Sequence, residues 1–256
     1  MRFDKYIGID YSGAGTPESR QSGLRVFSST PGCAPKQIDS PDSPLGRRHN
    51  WTRRGLATWL RAQKLGRERF VVGVDHALSV PREYLDVFEL RSWDGLLLDF
   101  VQHWPTHMKG QTVEALRVGN PRLGNAEWFR LTERWTSSAK SVFRFDVQGQ
   151  VAKSTHAGLP WIQDLRCAPG RPLHFWPFDG FIVQEEANVV VEVYPSIFRH
   201  RYPQESRSTD EQDAYSTARW LEECDRAGTL DRYLHPPLTE GEKTLAALEG
   251  WILGVT

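Results

Sequence analysis

Two short stretches of the chain carry one pattern: Ile7-Gly8-Ile9-Asp10 and Val72-Gly73-Val74-Asp75 are both apolar-Gly-apolar-Asp. Each reads as a buried strand that ends in a carboxylate. The two-residue period of a strand puts Gly8 on the face of Asp10 and Gly73 on the face of Asp75. A glycine one step inside the acid lets another element, or a ligand, approach the backbone there. A third run, Val189-Val190-Val191-Glu192-Val193, sets Glu192 among apolar neighbours, where an ionised carboxylate is costly without a cation or hydrogen bonds. The segment Thr209-Asp210-Glu211-Gln212-Asp213-Ala214 supplies more acid. Thr209 and Gln212 fit the N-cap and N3 positions of a capping box, and Asp210 falls in the first turn, where it favours the helix dipole. Asp213 shares a stripe with Ala214, Thr217, Ala218 and Leu221, whose small members suit close packing on a sheet.

Carboxylates meeting in one cleft cannot all stay ionised unaided. A divalent cation resolves the conflict, and oxygen ligands without paired His or Cys point to Mg²⁺ or Mn²⁺ rather than Zn²⁺. Two such ions about 3.5–4 Å apart suit phosphoryl transfer or phosphodiester hydrolysis, activating a water and stabilising the leaving oxygen. Asp10, Asp75, Glu192, Asp210 and Asp213 are the acids that could meet in such a cleft. Glu192 stays open between a ligand, a group that supports one, and a water-orienting base.

The elements that must position these acids follow from periodicity. Lys5 to Asp10 and Leu24 to Ser28 read as strands joined by a Gly- and Ser-rich return. Residues 28–50 read as a long connection with one short strand. Leu56, Trp59 and Leu60 predict a helix over 51–64, and Phe70 to Asp75 is a compact apolar strand. Residues 82–135 look mostly helical, while 140–180 mix short β-like pieces and prolines, with a turn at Gly158-Leu159-Pro160. Asn188 to Tyr194 is a β-branched strand, and helices are expected from Asp210 to about Arg226 and from Glu240 to Leu253. Alternating strands and helices predict one α/β domain over 1–256, a covered sheet flanked by helices.

Composition bounds the class. With 256 residues, 32 basic and 32 acidic, and 39% hydrophobic residues, the chain is neither disordered nor fibrous. No apolar run is long enough to span a bilayer, and Met1 to Tyr6 lacks a secretory apolar core; a cytoplasmic protein without membrane partners is the expectation. Cys33, Cys167 and Cys224 are widely spaced and expected to be reduced thiols. Zero net charge argues against nonspecific coating of nucleic acid, but the charge is unevenly spread. Residues 44–69 hold eight basic side chains against Glu68, and residues 204–231 hold eight acids against three basic residues. Arg47, Arg48, Arg53 and Arg54, with Trp51, are candidates to grip phosphates and stack on bases. His156 is a possible proton shuttle, more readily a structural histidine; His76 should point away from the face of Asp75.

The order of these motifs is familiar. An Asp ending the first strand, a second acid ending a strand after the first helix, and acids on a late helix resemble the ribonuclease H-like superfamily. Ile9-Asp10-Tyr11-Ser12-Gly13, Gly73 to Pro81, Glu192-Val193-Tyr194-Pro195 and Asp210 to Ala214 resemble a group of predicted nucleases within it. The resemblance implies a ribonuclease H-like mixed sheet, a nucleic acid substrate and a two-ion Mg²⁺ or Mn²⁺ site, with Asp10, Asp75, Glu192 and Asp213 as the catalytic set and Asp10, Asp75, Asp210 and Asp213 as metal ligands. Residues 82–180 would be a partly helical insertion that covers or shapes the cleft. Two rivals stand beside it: an actin-like phosphotransferase, since Asp10 to Thr16 looks like a phosphate-binding turn, and a non-catalytic binding module.

Overall fold

The computed structural model describes residues 2–41, 50–136, 138–145 and 151–256. Its centre is a six-stranded mixed sheet built from β1 (Lys5–Asp10), β2 (Arg25–Ser29), β3 (Lys36–Gln37), β4 (Phe70–Val74), β5 (Leu173–Phe175) and β6 (Asn188–Glu192), in the order β3-β2-β1-β4-β6-β5. β1, β4, β6 and β5 run parallel, and β2 is antiparallel to β1. The fold is mixed α/β, as expected from the alternation of elements.

Strand alternation divides the core. Ile7, Ile9, Val72, Val74 and Val190 face one layer, where they meet α1 (Arg53–Leu65), α3 (Trp93–His103) and α6 (Val151–Cys167). Tyr6, Val71, Val189 and Val191 face the other, packing with Trp220, Leu221, Leu234 and Trp251. That second layer holds α7 (Thr209–Arg226), α8 (Leu230–Leu234) and α9 (Glu240–Glu249). Between α3 and α6 lie the short helices α4 (Val113–Arg117) and α5 (Leu131–Trp135), and α2 (Arg82–Val87) precedes them. The 82–180 segment is not wholly apart from the sheet, because β5 forms its edge beside β6.

The main departure from sequence expectation is α6. The stretch with Gly158 and Pro160, expected to turn, is a 17-residue helix containing both. Proline removes the bond to the carbonyl four residues back, here that of His156. The Thr106 hydroxyl donates to that freed oxygen at 3.0 Å. Gly158 has its own reason: a Cβ there would lie 2.5 Å from His76 Nε2. Distant partners thus satisfy what would otherwise break the helix. The start of α7 also shifts by one residue. Ser208 is the N-cap and Glu211 the N3 partner, because Ser208 stays extended while Thr209 is already helical.

Helix α7 lies directly on β1 and β4. A Cβ at Gly8 would sit 2.1 Å from the Ala214 carbonyl oxygen, and one at Gly73 would sit 2.6 Å from Thr217 Cγ2. Ala214, Thr217, Ala218 and Leu221 are buried against the strands, the stripe expected from spacing. Gly8→Ala should therefore lower stability by about 1–3 kcal/mol or more, because the clash is with backbone. Gly241→Ala, on α9 with open space around it, should be neutral or gain up to about 1 kcal/mol. Urea unfolding midpoints check the contrast; equal midpoints would mean that helix and sheet are not in close contact.

Candidate active site

Asp10 and Asp75 stand side by side. β1 and β4 are parallel and in register through Ile9 and Val74, and the Asp75 amide donates to the Ile9 carbonyl at 3.0 Å. Adjacent strands lie about 4.8 Å apart, so the two carboxylates project together from the carboxyl ends of neighbouring strands. Both share the face of Gly8 and Gly73, the face that α7 covers. The first turns of α7 bring Asp210 and Asp213 over the same ends, and all four acids line one cavity of about 580 Å³. In open α/β sheets, ligands bind at the carboxyl ends of the strands.

The crowding is visible in their acidities. Burial, then repulsion from Asp75, Asp210 and Asp213, pushes the Asp10 carboxyl well above its ordinary range. Burial, then repulsion from Asp213 and Glu192, pushes Asp75 up to about 8. Burial also raises Asp213, although Arg199 opposes the shift. Arg199 Nη1 donates to Asp213 at 3.1 and 3.3 Å, while Arg25 only partly offsets the charge on Asp10. Among the described residues no hydrogen bond reaches the carboxylates of Asp10 and Asp75.

The donor set, oxygen-only and short of positive charge, fits a hard divalent cation by its chemistry. Its spacing is another matter: among the described residues no group of three or more His, Cys, Asp or Glu is spaced to hold a metal ion. Mutual repulsion and the pull of Arg199 on Asp213 both work against a closed set. Asp10 and Asp75 would be the pair that holds an ion, with Asp210 and Asp213 closing from above.

Glu192 lines the same cavity from another side. Alternation puts it with Val190, on the face opposite Asp75. Arg130 takes both of its oxygens, at 2.6 Å from Nη2 and 2.7 Å from Nη1, and the Leu78 amide donates to Oε2 at 3.1 Å. Arg130 Nε also bonds Glu133 at 2.8 Å. Arg130 is 1% exposed and Glu192 3%. Of the three roles open to Glu192, this geometry favours a supporting group, held by Arg130 beside Asp75. Neither Arg130 nor Arg199 stood out in the sequence, for each acts through a partner more than ten residues away.

The Arg-rich segment needs correction as a nucleic-acid surface. Trp51 is fully buried and its indole donates to the Ile38 carbonyl. Arg53 is 1% exposed, its guanidinium spent on the carbonyls of Ser12, Ala14 and Gly15. Arg54 pairs with Glu18, Arg61 with Asp164, and the Lys64 ammonium with the carbonyls of Leu165 and Ala168. Arg53 and Lys64 thus tie α1 to its neighbours from buried positions, while Arg54 is exposed. Arg47 and Arg48 lie outside the described residues.

His76 and His156 sit in structural contacts. His76 bonds the Ala77 carbonyl and packs edge-on against Tyr11, and burial drives its pKa down to about 4. His156 bonds the Ala152 carbonyl among Phe100, Trp104 and Phe145, and burial brings it to about 4 as well. Both are neutral at physiological pH. Cys33 and Cys167 are exposed thiols, and Cys224 is buried and unbridged.

No helix among the described residues is long and apolar enough to cross a membrane. Comparison of the chain with protein-family models, with curated proteins and with solved structures returns no match.

The raised pKa of Asp75 has a consequence for stability. The unfolded carboxyl ionises near 3.8 and the folded one near 8, so the folded state binds more protons between those values and loses stability as pH rises through them. Asp75→Asn should therefore melt higher than the wild type at pH 8 without divalent cations, with the gap closing towards pH 4. Calorimetry at the two pH values decides it; a variant less stable at pH 8 would mean that the carboxylates do not repel.

Proposed function

We propose that the protein is a metal-dependent nuclease of the ribonuclease H-like type, hydrolysing a phosphodiester bond of a nucleic acid with two Mg²⁺ or Mn²⁺ ions. The observation that carries this reading is the convergence of four acids on one cavity: Asp10 and Asp75 at neighbouring parallel strand ends, Asp210 and Asp213 on the helix laid across them. A mixed sheet flanked by helices, with acids at these positions, supports the resemblance read in the sequence.

Each group has a task in this reading. Asp10 and Asp75 would hold an ion, with Asp213 and Asp210 adding ligands from α7. Bound ions supply a water of lowered pKa and charge stabilisation for the leaving oxygen. Arg199 partly neutralises Asp213 and lines the cavity, where it can also meet a phosphate oxygen. Arg130 takes both oxygens of Glu192 and holds it beside Asp75, whose carboxyl it helps to push up by repulsion. Lys140 and Lys153, also on the cavity wall, offset the acids for an approaching polyanion.

Cleavage of single-stranded, duplex, hybrid and branched nucleic acids with Mg²⁺ or Mn²⁺ tests the reading. Asp10→Asn and Asp213→Asn should each cut the rate at least a hundredfold, about 2.7 kcal/mol of barrier. Absence of cleavage from every substrate, or variants as active as the wild type, would sink the proposal.

Ion binding can be measured separately. Mg²⁺ or Mn²⁺ at a hundred times its dissociation constant adds about 2.7 kcal/mol to a protein that binds it only when folded. The melting temperature of the wild type should rise accordingly, and that of Asp10→Asn and Asp75→Asn should rise much less. A wild type that does not respond to either ion at millimolar concentration would favour a binding module over an enzyme.

A further inference from the structure

The cavity that holds the acids is not acidic all round. β4 and β6 are parallel and paired at Val74 and Glu192, and the Val193 amide donates to the Val74 carbonyl at 3.1 Å. Val193 therefore stands beside Asp75 on one side, as Asp10 does on the other. It also shares the Asp75 face, since a Cβ at Gly73 would lie 2.9 Å from Val193 Cγ1. Ile252 extends this side through a parallel bridge to Glu192, and the Leu253 amide donates to the Glu192 carbonyl at 2.9 Å. Val193, Tyr194 and Ile252 all line the cavity. Across the strand ends its wall thus passes from two carboxylates to three apolar or aromatic side chains.

Tyr194 is the half-buried member of that wall. It packs against the core layer of α7 to α9. Its hydroxyl lies 3.2 Å from the Ser138 hydroxyl and 3.4 Å from the Ser138 carbonyl oxygen, to which it donates. A tyrosine held at both ends offers contact area at low cost in conformational entropy. Among the described residues no other aromatic ring stacks on it. Size narrows the occupant further. The cavity volume of about 580 Å³ falls among pockets that enclose one small ligand, about 300–1,000 Å³. A B-form duplex, with grooves about 8.5 and 7.5 Å deep, is too thick to settle into such a recess. One nucleotide matches both the size and the two-sided lining, its phosphate towards the acids and its base on the apolar wall. A base can reach that wall only when it is unpaired.

We propose that the Val193, Tyr194 and Ile252 side of the cavity is a nucleobase pocket, with Tyr194 as its stacking platform, and that the substrate is a single-stranded nucleic acid. The identity of the substrate rests on the nuclease reading; the pocket itself rests on the wall and its size. Stacking on an aromatic ring tolerates any sequence, because every base has a π-face. The pocket therefore selects an unpaired base rather than a particular one.

Calorimetric titration of the full chain in Mg²⁺ compares uridine monophosphate with ribose phosphate, which carries the same phosphate without the base. The nucleotide binds at least tenfold more tightly, ~1.4 kcal/mol. Tyr194→Ala removes that preference, and Tyr194→Phe keeps most of it. Tyr194→Leu, which retains apolar contact with the core, also lowers it and serves where the alanine variant does not fold. A merely loosened site would weaken both ligands alike and leave their ratio unchanged. Equal affinity for the two ligands, binding of neither, or an undiminished preference in Tyr194→Ala and Tyr194→Leu overturns the pocket. Single strands are cleaved at least tenfold faster than the same sequence in a duplex; equal or faster cleavage of the duplex overturns the substrate class. Base-dependent binding in a protein that cleaves no nucleic acid keeps the pocket and removes the nuclease. Cleavage by a protein that binds nucleotide and ribose phosphate equally does the reverse.

Discussion

The close approach of α7 to the sheet governs the rest of the structure. It requires two glycines, Gly8 and Gly73, at matching heights on neighbouring parallel strands, because a methyl group at either would strike the helix. It also requires small residues on the helix, which Ala214 and Ala218 supply. The same two glycines sit one step inside Asp10 and Asp75, and the first turns of the same helix carry Asp210 and Asp213. Packing and site assembly are therefore one event. Any side chain that lifted the helix would also lift two of the four acids from the other two.

The assembly costs electrostatic energy, and the protein distributes cations to limit it. Arg199 holds Asp213, Arg25 acts on Asp10, and Arg130 takes both oxygens of Glu192. A buried ion pair seldom adds much stability, whereas a buried charge left alone is strongly destabilising. Arg130 illustrates the distinction. It joins Glu192, Glu133 and the Glu249 carbonyl in one network, which ties β6 to α5 and to the end of α9. Among the described residues no comparable partner reaches Asp10 and Asp75, and their raised pKa values register that shortfall. The strain is concentrated where a cation would relieve it.

Much of the scaffold was legible because periodicity is a local property. β1, β4, β6, α1 and α7 all lie within a few residues of the positions their apolar spacing implies, and the buried stripe of α7 is the one expected. The acids Asp10, Asp75 and Asp213 were legible for the same reason, since strand and helix parity put them on predictable faces. α6 was misread because Gly158 and Pro160 are local signals for a turn. What accommodates them is remote: the Thr106 hydroxyl takes the carbonyl that Pro160 leaves free, and the His76 ring, 82 positions from Gly158, leaves no room for a side chain there. The capping box slipped by one residue because Ser208 and Thr209 are both competent caps and only backbone conformation chooses between them.

The amino-acid sequence by itself determined which residues could do chemistry: the doubled apolar-Gly-apolar-Asp pattern, the acid in the β6 run and the two acids at the head of α7. Residue type and short-range periodicity are enough for that. Only the tertiary structure decided how charges pair. It assigned Arg130 to Glu192 and Arg199 to Asp213, and it turned Arg53 and Trp51 from a presumed substrate surface into buried supports. Sequence can count a cation, but whether that cation meets solvent, a carboxylate or a backbone carbonyl depends on which distant elements the core brings against it. Two members of the basic run around α1, Arg53 and Lys64, are buried fasteners, and Arg53 holds the turn beside the very carboxylate with which the site begins.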